Sequence, residues 1–266
     1  MAFALRNFHR SVFCARIGYA LRHLSHVAPA DQGDSSSIAA LRVEICGKIP
    51  SFPVGSERQC DDIIRIFRGH GFTDNVIQNA IIRAPRMIEL STQLNELLSM
   101  WRGIFRNEPV FLRAIGDYPE LLYLKPSAVQ SRQEQLFGIF PRGDIVKLMH
   151  MCPRVLVEEW EEVLSKINYL MFSMGVKQGD ILRSEVLSYS LLDIKMRHLF
   201  LLRCGVYKTP KPKDLQNKNP PLRAIFDTTT SDFVKLSGLT EEEFDIFRKM
   251  VPIYDNDDDE LDDELD

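Results

Sequence analysis

The side chains that could carry chemistry are dispersed along this 266-residue sequence. It contains no GxSxG, GxxxxGK[ST], GxGxxG or HExxH motif, which are the patterns of common nucleophile, phosphate and zinc sites. The six histidines form no metal-ligand motif, and the five cysteines form no CxxC pair. Because paired ligands and an activated nucleophile are both missing, the sequence predicts a protein that is not an enzyme and needs neither cofactor nor metal.

Basic side chains are the strongest remaining candidates, because phosphate contacts need positive charges spaced along a surface. They are dense in the second half of the chain, and residues 195–213 carry six Lys or Arg and one His. A solvated helix face explains any single one of them, but the whole segment is predicted to form a basic patch. Lys166 belongs to this dense set. The predicted nucleic-acid contacts are Lys147, Arg154, Lys177, Arg183, Lys195, Arg197, His198, Arg203, Lys208, Lys211 and Lys213.

Apolar and aromatic side chains near the C-terminus form a second candidate surface. The last unit of a repeat array has no following neighbour, so its apolar side needs either a partner or a cap. A cap made by the chain's own last helices is an equal alternative to a partner site. The predicted partner contacts are Leu199, Leu202, Tyr207, Phe233, Phe244 and Phe247.

A repeated unit supplies the elements that would position these side chains. Pro85, Pro119 and Pro153 are separated by two steps of 34 residues. Four apolar columns keep fixed offsets from each proline, at minus eight, minus four, plus two and plus three. They contain, in that order, Ile77, Phe111 and Ile145; Ile81, Ile115 and Met149; Met87, Leu121 and Val155; and Ile88, Leu122 and Leu156. A fixed period of this length predicts an all-α array of helical repeats that share a continuous core.

The clearest copy of the unit covers residues 152–181. A helix is predicted to begin at Pro153, and Gly175 is predicted to end it in a left-handed conformation. Its apolar face would contain Leu156, Trp160, Val163, Leu164, Ile167, Leu170 and Met171. A degraded fourth copy is predicted after a step of 36 residues, with Tyr189 in the proline position, Ile181 before it, and Leu191 and Leu192 after it.

The two ends of the chain differ from the repeats in composition. Residues 1–24 are rich in arginine and contain no acidic residue, which is typical of a mitochondrial transit peptide. We predict a linker over 25–58, repeats over 59–250 and a disordered acidic tail over 251–266. The last twelve residues hold nine acidic groups, so the remaining residues carry 28 acidic and 33 basic side chains. No apolar run reaches about 18 residues, so the sequence predicts no membrane span.

Several motifs together resemble a known family. The 34-residue period, the proline, the glycine turn at 174–176 and the Asp-Ile pair at 180–181 resemble the mTERF repeat of the mitochondrial transcription termination factors. The resemblance covers about residues 60–250, and residues 171–266 are similar to one paralogue in particular. It implies a right-handed α-solenoid in the mitochondrial matrix. It also implies an adaptor that carries a Sun-family RNA cytosine-5 methyltransferase to the large-subunit ribosomal RNA during ribosome assembly.

Two other hypotheses share features with this one. A double-stranded DNA-binding transcription factor of the same family would have the same fold and a basic concave face. A protein-binding array of tetratricopeptide type would share the period, although its small-residue pattern at helix crossings is missing. Without the four arginines of the N-terminus and the acidic tail, the chain has 29 basic and 28 acidic residues. This balance favours an adaptor over a protein that binds duplex DNA alone.

Overall fold

A computed structural model describes residues 34–49, 55–210 and 218–259 of the chain. These residues form helices and no strand, and they belong to two units, Met1–Ala128 and Val129–Asp266. No helix among them is both long and apolar enough to cross a lipid bilayer. The all-α class expected from the sequence agrees with these described segments.

In the N-terminal unit, α-helices alternate with short 3-10 turns. The α-helices are α1 (Asp34–Lys48), α2 (Glu57–Gly69), α3 (Asp74–Arg83), α4 (Leu94–Phe105) and α5 (Glu108–Asp117). The 3-10 turns are Pro85–Leu90 and Pro119–Tyr123. The next helix, α6 (Pro126–Phe137), begins at the end of this unit.

The C-terminal unit continues the same alternation. Its longer helices are α7 (Arg142–Met151), α8 (Trp160–Asn168), α10 (Leu191–Arg203) and α13 (Glu241–Asp259). Its shorter helices are α9 (Gln178–Ile181), α11 (Leu222–Phe226) and α12 (Thr230–Lys235). Two 3-10 turns, Pro153–Leu156 and Val186–Ser188, and one π-helix, Tyr169–Ser173, complete the unit.

The three prolines repeat the same backbone geometry. Proline disfavours the helical conformation in the residue before it, so each α-helix ends there. Ala84, Tyr118 and Cys152 have φ values of −128°, −132° and −129° and ψ values of 67°, 67° and 73°. Each proline then begins a 3-10 turn. The twelve side chains of the four predicted columns are all at most 5% exposed, which confirms that the columns form a core.

Side chains also tie neighbouring repeats together at these turns. The Tyr123 hydroxyl donates to the Ala84 carbonyl over 3.0 Å, across 39 residues of sequence. In the C-terminal unit, an Arg154 guanidinium N–H donates to the Ser188 carbonyl over 3.0 Å, across 34 residues. The Ala84 carbonyl also accepts from the Met87 N–H over 3.0 Å, so the Tyr123 hydroxyl adds a second hydrogen bond at this turn.

The register predicted for the fourth copy is wrong. The equivalent 3-10 turn is Val186–Ser188, and Tyr189 follows it in an extended conformation. Val186 and Leu187 are the buried side chains of this turn, whereas Leu192 is half-exposed at the start of α10. No proline marks this copy, so its sequence left the position of the turn undefined.

The helix predicted from Pro153 is also wrong in its start, although most of its predicted apolar face is buried. Pro153 begins a 3-10 turn, and α8 begins only at Trp160. Leu164 is half-buried, whereas Val163 and Ile167 are buried as predicted. The predicted end is confirmed, because Gly175 has a φ of 66°.

A buried ion pair joins Glu158, which lies between the 3-10 turn and α8, to Lys166 of α8. Lys166 is 1% exposed, and its Nζ lies 2.6 Å from both carboxylate oxygens of Glu158. Arg154 lies 3.3 Å from the same carboxylate. Desolvation lowers the pKa of Lys166, and the hydrogen bonds from Glu158 oppose that shift. Lys166 is therefore enclosed and is not available to contact phosphate.

The predicted boundaries need two corrections. The predicted linker over 25–58 contains α1, whose Ile38, Leu41 and Ile45 are buried, because its apolar residues recur at helical spacing. The predicted disordered tail over 251–266 begins inside α13, which continues to Asp259. Residues 1–24, the predicted transit peptide, lie outside the described residues.

Candidate nucleic-acid and partner surfaces

An aromatic cluster closes the C-terminal end of the repeats. Phe200 of α10 lies 5.8 Å from Phe233, 4.9 Å from Phe244 and 5.3 Å from Phe247, measured between ring centroids. Phe233 and Phe244 are at most 3% exposed, and the Arg203 guanidinium lies over Phe247 at 5.2 Å. Helices α12 and α13 therefore cap α10. The prediction that Phe233 and Phe244 contact a partner is wrong, because the chain's own helices bury them.

Arg197 is part of this core and not part of a nucleic-acid surface. It is 8% exposed, and its guanidinium lies over the rings of Tyr189 at 5.2 Å and Phe233 at 4.8 Å. It donates a hydrogen bond to the Ile225 carbonyl. Burial lowers the pKa of Arg197, yet arginine remains charged at neutral pH. Its charge serves the packing of α10 against α11 and α12, so the prediction that it contacts phosphate is wrong.

His198 and Tyr207 are buried together beside the π-helix. His198 is 2% exposed, and its Nδ1 lies 2.8 Å from the Tyr169 hydroxyl. Tyr207 is 3% exposed, and its hydroxyl donates to the Met174 carbonyl over 2.8 Å. Both were predicted as surface contacts, His198 for nucleic acid and Tyr207 for a partner, and both predictions are wrong because the side chains are enclosed.

Burial of His198 makes stability depend on pH. Desolvation lowers the pKa of His198 from 6.5 to about 4, so the unfolded chain binds a proton more readily than the folded chain between these values. The contribution of His198 to the free energy of unfolding is therefore fully present above pH 6.5, and it decreases as the pH falls toward 4. Between pH 7 and pH 5, we expect the free energy of unfolding to fall by about 2 kcal/mol more in the wild type than in His198→Gln. Urea unfolding at the two pH values measures this difference. Parallel losses in the two proteins would contradict this assignment.

The remaining predicted cations differ in how freely they meet solvent. Lys147, Lys177, Arg183, Arg203 and Lys208 are exposed, whereas Arg154 and Lys195 are half-buried. Arg183 pairs with Asp180 at 3.0 Å, and Arg154 is held by Ser188 and Glu158 as described above. Lys211 and Lys213 lie outside the described residues. The exposed lysines are thus the predicted contacts that remain available for phosphate.

The base of the lysine-rich loop after α10 is fixed by one side chain. The Lys208 N–H donates to Asn219 Oδ1 over 2.9 Å, and Asn219 Nδ2 donates to the Lys208 carbonyl over 2.7 Å. Pro210 packs against Gly175, where an added Cβ would lie 2.8 Å from Pro210 Cδ. The loop therefore begins next to the end of the π-helix.

An apolar row on α13 was missed by the sequence analysis. Ile246 and Met250 are 57% and 42% exposed, and their spacing of four residues places them on one face of the helix. Leu239, just before α13, is 36% exposed, and Leu199 and Leu202 are half-buried on α10. Phe244 and Phe247 of α13 pack against Phe200 of α10, and Ile246 and Met250 remain outside.

The N-terminal unit holds a groove that the sequence did not predict. Its volume is about 460 Å³, and it lies between α3 and α5. Gly116 lets the two helices approach, since a Cβ there would lie 2.9 Å from Val76 Cγ1. The polar side chains that line this groove are Thr73, Asn79, Arg83, Arg113 and Asp117. No group of three or more metal-ligating side chains occurs in the described residues.

Comparison with known proteins identifies the repeat. The family model described as mTERF matches residues 50–234. The chain belongs to the mTERF family. This membership confirms the resemblance and the α-solenoid class of helical repeats, and it excludes the hypothesis of a tetratricopeptide array.

One relative narrows the position within the mTERF family. The chain is 31% identical over 186 residues to the mouse (Mus musculus) protein named transcription termination factor 4, mitochondrial. The match covers 68% of this chain and 54% of the relative. This mTERF protein therefore spans about half the length of its mouse relative, in agreement with the single paralogue that residues 171–266 resembled.

Proposed function

We propose that this protein is a non-catalytic adaptor in the mitochondrial matrix, which binds large-subunit ribosomal RNA and delivers a Sun-family cytosine-5 methyltransferase to it. The name of the mouse relative, a mitochondrial factor, supports the compartment. The methyltransferase and the role in ribosome assembly are what the resemblance of residues 171–266 implies. The residues suited to nucleic acid are the exposed lysines, and those suited to protein are on α13.

One observation carries the proposal. The C-terminal unit exposes lysines and an apolar row beyond a core that its own aromatic cluster already closes. Neither set is needed to complete the fold. Exposed lysines suit a phosphate backbone read without sequence preference, and a pair of large apolar side chains on one helix face suits a protein partner.

The RNA contact is tested through charge. Changing Lys177 and Lys208 together to Gln is expected to weaken binding to a ribosomal RNA fragment and to reduce its salt dependence. Each lost phosphate contact on a single strand lowers the slope of log affinity against log salt by about 0.7. The matched control is Lys235→Gln, since Lys235 is exposed in the same unit but paired with Asp232 at 2.7 Å. Equal slopes in the double variant and the control would remove these lysines from the RNA contact.

The partner contact is tested on α13. Changing Ile246 and Met250 together to Glu is expected to abolish capture of the purified methyltransferase, because buried like charges would replace an apolar contact. Val146→Glu is the control, since Val146 is 49% exposed on α7. Circular dichroism establishes that both variants are folded. Full capture by the folded double variant would place the partner elsewhere.

A double-stranded DNA-binding regulator of transcription is the second candidate. The observation in its favour is the name of the mouse relative, a transcription termination factor. Competition between a ribosomal RNA fragment and a DNA duplex of equal length distinguishes the two functions. Preferential binding of the duplex at physiological salt would favour this alternative.

A further inference from the structure

Phe172 stands apart from the core that its neighbours form. It is 76% exposed, more than any other large apolar side chain in the described residues. It lies on the π-helix, between the buried Leu170 and Met174. A phenylalanine in water contributes no burial to folding, and π-helical turns are frequent at functional sites. The packing of the fold therefore does not explain why a phenylalanine occupies this position.

The backbone that presents Phe172 is held on both sides. The Met174 N–H donates to the Tyr169 carbonyl over 3.0 Å, and the Val176 N–H donates to the Leu170 carbonyl over 2.9 Å. The Tyr207 hydroxyl fixes the Met174 carbonyl, and Pro210 packs on Gly175, as described above. The ring is thus presented from a fixed base and not from a mobile loop.

Two exposed lysines flank this base. Lys177 follows Gly175 by two residues, and Lys208 precedes Pro210 by two residues. Gly175 and Pro210 are in contact, and consecutive Cα atoms are about 3.8 Å apart, so each lysine Cα lies within about 8 Å of that contact. Asp180, a nearby carboxylate, is engaged by Arg183 at 3.0 Å. Lys177 and Lys208 therefore place two positive charges near the Gly175–Pro210 contact, which follows the π-helix that carries Phe172.

We propose that Phe172 stacks on an unpaired base of bound RNA, while Lys177 and Lys208 contact the phosphates on either side of that base. This inference rests on the proposed RNA-binding function and names the part of the RNA that the protein holds. Aromatic faces accept any unpaired base, and lysines follow the backbone, so this site prefers single-stranded segments without reading sequence.

The polar surroundings favour RNA over a protein partner at this site. A protein hot spot is an apolar anchor that enters a desolvated pocket and is ringed by further apolar contacts. Among residues 168–177, Phe172 is the only exposed apolar residue, and the other exposed residues are Asn168, Ser173 and Lys177. A single ring among polar and positive groups is the arrangement that stacking on a nucleic acid requires.

The experiment uses the full chain and a 12-residue oligouridine, with affinity measured by fluorescence anisotropy. Phe172→Ala is expected to weaken binding about tenfold, and Phe172→Trp is expected to restore it. The fluorescence of Phe172→Trp should be quenched on binding, after subtraction of the wild-type signal from Trp101 and Trp160. Leu192→Ala is the matched control, because Leu192 is 50% exposed on the same unit, and its affinity should not change.

Four outcomes would overturn the inference, and they separate it from the proposed function. If Phe172→Ala binds oligouridine as wild type does, stacking is excluded while RNA binding stands. If the variant loses equal affinity for a fully paired RNA duplex, the ring does not recognise an unpaired base. If Phe172→Ala retains its affinity for RNA but fails to capture the methyltransferase, Phe172 belongs to the protein interface. If wild type binds no RNA, the proposed function fails together with the inference.

Discussion

Val163→Asp is expected to unfold the C-terminal unit at room temperature. Val163 is fully buried on α8, and an unpaired carboxylate in such a site costs several kcal/mol, which is comparable with the stability of many small domains. The neighbouring repeats depend on α8 for their own burial, so the loss should spread beyond this helix. Circular dichroism during urea unfolding measures the effect.

Leu164→Asp is the matched control for this prediction. Leu164 is the next residue on the same helix, but it is half-buried, so its carboxylate keeps access to water. We expect a loss of about 1 kcal/mol, typical of a partly exposed position. Equal destabilisation by the two substitutions would contradict the orientation of α8.

Glu158→Ala is expected to have the second largest effect. Its removal leaves the Lys166 ammonium, 1% exposed, without the two 2.6 Å hydrogen bonds that compensate its burial. Breaking a buried pair from one side costs about 3–5 kcal/mol. Thermal and urea unfolding should both report this loss.

The double variant Glu158→Ala, Lys166→Met provides a test of the cause. It removes the uncompensated charge, so it should be more stable than Glu158→Ala alone. Glu162→Ala, on the exposed side of α8, should change stability by less than about 0.5 kcal/mol. A double variant no more stable than the single one would show that Lys166 does not depend on Glu158.

The repeat was predictable where proline and spacing fix it. A proline restricts both its own backbone and the residue before it, so Pro85, Pro119 and Pro153 mark the ends of three helices in the sequence itself. The columns at fixed offsets from them are buried because successive units present the same face. The fourth copy lacks this proline. There the spacing alone placed the start of the turn at Tyr189, three residues later than its observed start at Val186.

The candidate site was predictable only in part, because burial of a charge depends on distant partners. Lys166 is enclosed because of Glu158. Arg197 is enclosed because of the Tyr189 ring and of a ring and a carbonyl on two other helices. A cluster of basic residues in the sequence does not show which of their side chains are buried. One feature of the sequence indicates the exposure of Phe172, because this residue interrupts the helical spacing of the apolar residues Leu170 and Met174. That spacing alone does not predict a π-helix.

The hydrogen bonds between adjacent repeats have a consequence for the order in which the chain acquires its structure. The Ser184 hydroxyl, for example, donates to the Asp227 carboxylate, only 43 residues further along the chain. Contacts so close in sequence require little loop closure, which favours rapid folding. Each repeat is complete once the following repeat is present, so structure can form progressively from the leading end of the chain while the rest is still being synthesised or is passing in extended form through a narrow pore.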